Sequence, residues 1–288
     1  MQVINTLIEE SFRYTGEKMD LYRRRDEIGE IMEIVAYCRN DLVGETLKYQ
    51  DKIWEIPVQE GITFVEWLYE NKGNGSAEDR RRLLEAFSKG EMTLLDETFP
   101  LKETAEKKTI AVALGDFPDA VCSQQDYIQK RRDILASIRN VQEYELFMRS
   151  CFVNSCFAEG ILSEMKHIPH FPDRAKEITR ALGILNDRAI ELYRQYSNRL
   201  EEAMKILASL LRRECAPDPG HADDLIFSFT YSEQLEGKTE ERHKEIECQP
   251  HFKLIHPGSD LRIYFYWCDE TVGAGERVLV GRIGRHPY

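Results

Sequence analysis

The run ECAPDPGHADD, residues 214–224, separates two incompatible periodicities, so a single layer of structure cannot accommodate both sides of it. Two prolines and a glycine within eleven residues end a helix and break a strand. Upstream, Ile178, Leu182, Leu185, Ala189, Leu192 and Tyr196 recur at threes and fours, and Leu200, Ala203, Leu207 and Leu210 continue the pattern after Ser197-Asn198. This spacing predicts an amphipathic helical hairpin or one long helix, with its seam buried inside the chain or against a partner. Downstream, LIFSFTY (225–231), CQPHFKLI (248–255), LRIYFYW (261–267) and RVLVGRI (277–283) alternate or run apolar, with HPGSD and DETVGAGE as turns between the last three. The expected class is α+β: a mostly helical region over residues 1–215, subdivided near 91–120, then a small antiparallel sheet in a β-rich domain over 221–288.

The helical region reads in pieces. Ile4, Leu7, Ile8 and Phe12 predict one helix, and Ile28, Ile31, Met32, Val35 and Cys38 a second. Phe64, Val65, Trp67 and Leu68 predict a short helix with an aromatic stripe of the core type. GNGS follows as a loop, and Ser76 caps the next helix with Asp79 in its first turn. TIAVALG (109–115) fits a strand or a buried helical turn, and residues 123–152 fit one long helix or two short ones. The cluster Arg23, Arg24, Arg25 lies beside Asp20, Asp26 and Glu27 and reads as a solvated helix surface.

Composition narrows the function classes. A chain of 288 residues holds two domains, and 42% hydrophobic with 31% charged residues suits a globular protein. No apolar run approaches the ~20 residues needed to span a bilayer, so no membrane partner is expected. MQVINTLIEESFRYTGEK lacks the basic start and apolar core of a signal peptide, which leaves a cytoplasmic protein as the expectation. Seven cysteines without a CxxC pair argue against a disulfide framework and a zinc ribbon. Cys151 and Cys156 with His167 and His170 lack the spacing of compact zinc sites, so no metal is expected. HExxH, GxSxG, a Walker loop and GxGxxG are all missing, and no cofactor is expected either. The net charge of −12 opposes broad nonspecific binding to phosphate, so nucleic-acid contact has to be local. From His251 onward the balance turns to +1.

The terminal strands carry the candidate chemistry. In the third, Ile263, Phe265 and Trp267 share one face while Arg262, Tyr264 and Tyr266 share the other. Pairing with the fourth strand places Arg282 near the polar face, with Arg285, His286 and Tyr288 leaving its end. Such a face can hold phosphate with arginine and stack bases on tyrosine. Five of the seven histidines fall after residue 220. His251 and His286 with Lys253 and Arg285 are the parts that RNA cleavage needs: proton acceptor, proton donor and cation. The same residue types also occur on ordinary sheet faces.

The order PHFKLI…LRIYFYW…RVLVGRIGRHPY resembles the strand-rich end of RelE/HigB-type toxin folds. It also resembles the ending of bacterial phage-defence proteins that close on a similar strand pair after a helical region. The resemblance covers roughly the last 40 residues. It implies a metal-independent endoribonuclease or RNA-binding domain, with His286, Arg285 and His251 as catalytic candidates. Lys253, Arg262, Tyr264, Arg282 and Tyr288 become candidate nucleic-acid contacts, and RNA or the ribosome the partner. The alternative is a non-catalytic subunit of a multi-protein defence complex that uses its helices and terminal sheet for docking. The size and acidity of the chain depart from the small basic toxins of that fold.

Overall fold

The computed structural model describes residues 5–14, 16, 24–38, 47–89, 91–92, 112–114, 120–218, 223–235, 238–256 and 259–287. The chain divides into two compact units, Met1–Arg131 and Arg132–Tyr288. Both mix helices with sheet, and among the described residues no helix is long and apolar enough to cross a membrane.

The first unit contains β1 (Asn5–Leu7), α1 (Arg25–Cys38), β2 (Leu47–Tyr49), β3 (Pro57–Gln59), β4 (Ile62–Thr63), α2 (Phe64–Tyr69), α3 (Ala77–Lys89), β5 (Glu91–Met92) and β6 (Val112–Leu114). The helix α4 (Gln124–Ser137) crosses the division between the units. A four-stranded sheet runs in the order β5-β2-β1-β6, parallel except for the β1–β6 pair. Helix still outweighs strand here, and the small sheet is an addition to the mostly helical expectation. Leu7 belongs to β1 and Phe12 ends a 3-10 turn, because strands of two or three residues are too short to register a period of their own. Ile28, Ile31, Val35 and Cys38 are buried along α1 as expected. The expected solvated surface at Arg23, Arg24 and Arg25 is corrected at Arg24, which is buried, bonds Glu27 at 2.7 Å and donates to the Ser11 carbonyl at 3.0 Å; Arg25 is exposed and Arg23 lies outside the described residues. The Ser76 hydroxyl accepts from the Glu78 and Asp79 amides at 3.2 and 3.4 Å. Phe64 and Trp67 are core residues; Phe64 meets Phe12 edge-on at 5.1 Å and Phe87 at 5.5 Å.

The second unit continues with α5 (Val141–Cys151), β7 (Ser155–Phe157), α6 (Ile161–Met165), α7 (Phe171–Gln195), α8 (Leu200–Leu211), β8 (Cys215–Ala216), β9 (Ile226–Leu235), β10 (Lys238–Glu247), β11 (His251–Lys253), β12 (Leu261–Tyr266) and β13 (Val278–Arg285). Residues 123–152 form two helices, and Asn140 caps the second by accepting from the Gln142 and Glu143 amides at 2.9 and 3.1 Å. The periodic stretch from Ile178 to Leu210 is a helical hairpin, α7 and α8; Ile178, Leu182, Leu185, Ala189, Leu192, Ala203 and Leu207 are buried within the chain, while Leu210 is exposed.

The main sheet has five strands in the order β7-β13-β12-β11-β8. Its three central strands are antiparallel as the sequence predicts, but β7 joins β13 in parallel. Two of its strands thus come from residues 155–157 and 215–216, in the stretch expected to be helical or linker. The segment 225–231 does not enter this sheet. From Ile226 it lies in β9, which pairs over ten residues with β10 as a separate hairpin. The charged sequence KTEERHKEIE carries no apolar alternation to announce β10.

Both faces of the five-stranded sheet are covered. On one, Trp267 stacks on Tyr193 of α7 at 6.1 Å. The buried Asn186 of the same helix accepts from the Asn154 amide at 2.9 Å and the Ser155 hydroxyl at 3.2 Å, which fixes the edge strand β7. On the other, Phe229 and Ile246 of the hairpin share a core with Tyr264, Cys248 and Leu279.

Candidate functional site

The antiparallel register gathers the predicted residues on one face. His251 is paired with Tyr264, Tyr264 with Arg282, and Lys253 with Arg262. Side chains at paired positions project to the same side, so these five share a face. Arg285 is paired with Leu261 and belongs to the opposite alternation.

Three of the candidates meet around an acid that sequence reasoning missed. The His251 ring lies 4.9 Å from the Tyr264 ring, and the Tyr264 ring meets His286 edge-on at 6.3 Å. The Tyr264 hydroxyl donates to Asp218 Oδ2 at 3.4 Å, and His286 Nε2 lies 3.5 Å from the same oxygen. Asp218 stands between Pro217 and Pro219 in the linker-like run, where nothing in the residue pattern marks it as a site residue.

The face is not open, which alters what these groups can do. His251 is only 4% exposed, with Nδ1 3.4 Å from the Gln249 carbonyl oxygen and Nε2 buried without a hydrogen-bond partner. Burial lowers its pKa to about 4, opposed by the Gln249 carbonyl and assisted by nearby Arg262, so the ring is neutral near pH 7. Tyr264 is fully buried beneath the hairpin, so it has no surface on which a base could stack. Arg262 is buried too: its guanidinium donates to the Ser259 carbonyl and, at 3.1 Å, to that of Leu261, which closes the β11–β12 connection. Alternation identifies which residues share a face, but it cannot tell whether another element lies on that face.

The remaining cations are engaged. Arg282 bonds Glu164 at 2.6 Å and the Arg285 carbonyl at 2.9 Å, and Lys253 bonds Glu214 at 2.5 Å. Arg285 is half-exposed, 3.5 Å from Asp260, and lines a cleft of about 500 Å³ together with Arg174 and His256. Tyr288 lies outside the described residues. All seven cysteines are free thiols, and burial pushes Cys215 and Cys248 well above the usual thiol range. Among the described residues, no three His, Cys, Asp or Glu side chains group as metal ligands.

The arrangement therefore offers a partly exposed Asp218–His286 pair at the end of β13, a half-exposed arginine that precedes it in the chain on the opposite alternation, and a second, buried histidine. Comparison with protein families, curated proteins and solved structures finds no match to the chain.

Proposed function

We propose that the second unit binds RNA at the end of its main sheet where β13 runs out, in a protein of the toxin or phage-defence kind. The observation that carries this reading is the half-exposed Arg285 at the end of β13, one residue before the His286 that Asp218 holds. Arg285 offers a half-exposed guanidinium suited to a phosphate, and the contact of His286 with Asp218 fixes the strand end from which it leaves. The geometry favours binding over cleavage. Metal-independent cleavage needs two proton-transfer groups within reach of the substrate, and His251 is buried.

Docking within a multi-protein complex is the second reading. The observation behind it is β10, whose residues from Lys238 to His243 are all exposed and charged or polar. Growth after induced expression of the whole chain, and of the whole chain with Arg285→Ala and His286→Ala, separates the two. Arrest that disappears in the stably folded double variant supports RNA action at this end. Arrest that persists there rules this end out, and a partner captured through β10 favours docking.

A further inference from the structure

We infer that the two clefts on either side of Ile255 and His256 form one binding site for a single-stranded phosphodiester backbone. The first, about 400 Å³, is lined by Arg212, Arg213, Glu214 and Lys253 at the end of α8 and along β11. The second is the cleft of about 500 Å³ that holds Arg174, Asp260 and Arg285. Both have Ile255 and His256 in their walls, so the two adjoin across this ridge.

Charge separates this region from the rest of an acidic chain. Among the described residues, five arginine and lysine side chains line the two clefts against two carboxylates, in a protein of net charge −12. Lys253 and Arg285 are held by Glu214 and Asp260, and Arg213 by Glu177 at 2.6 Å. Arg212, Arg174 and His256 have no side-chain partner among the described residues. One uncompensated arginine therefore stands in each cleft, with a histidine on the ridge between them. A small anion would be satisfied by one cleft alone. Cations repeated across a ridge suit a chain of phosphates.

The backbone at the ridge is an independent sign. Ile255 has φ +73°, a conformation that β-branched residues rarely adopt. The His256 amide donates to the Leu254 carbonyl at 3.0 Å, closing a strained three-residue turn that puts His256 at the crest. Glu177 holds this turn: it accepts from the Ile255 amide at 2.9 Å with the same oxygen that takes the Arg213 guanidinium. Strain of this kind persists only where its surroundings over-determine it, and it gathers at ligand sites. Among the described residues the linings contain no Phe, Tyr or Trp to stack on a base, so the site reads backbone charge and is indifferent to sequence.

This site rests on the RNA-binding reading and extends it away from β13 to α7, α8 and the Ile255 turn. The test is fluorescence anisotropy of the full chain with a labelled single-stranded RNA of mixed sequence, at low and moderate salt. It uses Arg174→Ala with Arg212→Ala on one side and His286→Ala on the other. The paired arginine variant is expected to weaken binding by about tenfold or more, equally for different sequences, and to flatten the salt dependence by about one unit of slope. Thermal unfolding should be unchanged, since neither arginine holds a partner. If RNA binds and only His286→Ala loses it, the cleft site is overturned while the RNA reading stands. If the unaltered protein fails to bind at low salt, both fall.

Discussion

The His251 ring is held neutral by burial, and folding therefore depends on pH. Its folded pKa of about 4 lies below the ordinary 6.5, so the unfolded chain takes up this proton first as pH falls. The stabilisation is complete above about pH 6.5 and is lost progressively toward pH 4, reaching about 3 kcal/mol across that window. His251→Phe keeps a ring against Tyr264 without the titration, and its urea midpoint should fall less steeply than that of the unaltered protein between pH 6.5 and 4. Equal slopes would remove His251 as the cause. At this scale the sequence is informative about neighbours and silent about cover. His251, Tyr264 and His286 come together because period-two alternation and antiparallel pairing require it of the first two and the end of β13 delivers the third. Asp218, in contrast, arrives from 46 residues before Tyr264, and no local pattern encodes that approach. Arg262 reads as a surface cation only until the carbonyl oxygens it serves are known.

Between elements, the hairpin β9–β10 and the main sheet meet at Gly281. The β12–β13 register shifts between Tyr264 and Phe265, leaving Gly281 as the extra residue of a bulge. A Cβ at this position would lie 2.4 Å from the Phe227 ring and 2.9 Å from Cys248 Sγ. Gly281→Ala should therefore lower stability by about 1–3 kcal/mol. Adding Phe227→Ala should recover part of that loss, and denaturant midpoints in a double-mutant cycle would measure the coupling. Additive effects would mean that the hairpin does not press on the bulge. The element scale also shows which structures a sequence reveals. The helices α1, α7 and α8 are long enough for several turns of apolar spacing, and Asn140 and Ser76 show why two others start where they do. Strands β1, β5, β7 and β8 span two or three residues each, less than is needed to distinguish one period from another. Their pairing is decided by the rest of the fold. β10 fails for a different reason: its stability comes from ten paired backbone positions on β9 and from ion pairs such as Arg242–Glu233, with little apolar burial.

At the scale of the whole molecule, charge governs behaviour in solution. The sequence pI is about 5.2, so net repulsion between copies vanishes in the same pH range in which His251 begins to favour the unfolded chain. Turbidity should rise between pH 6 and 5, and less so in His251→Phe; light scattering at fixed protein concentration would measure it. If both proteins cloud alike, loss of net charge alone is responsible. Among the described residues β10 has a strand neighbour on one side only, and a ribbon of that length would ordinarily be a template for edge-to-edge growth of fibrils. Its dense Lys, Glu and Arg prevent this, since a second copy docking along the edge would have to strip water from a row of ions with no core to offset the loss. The ribbon can therefore stand in solvent at high concentration without seeding a filament.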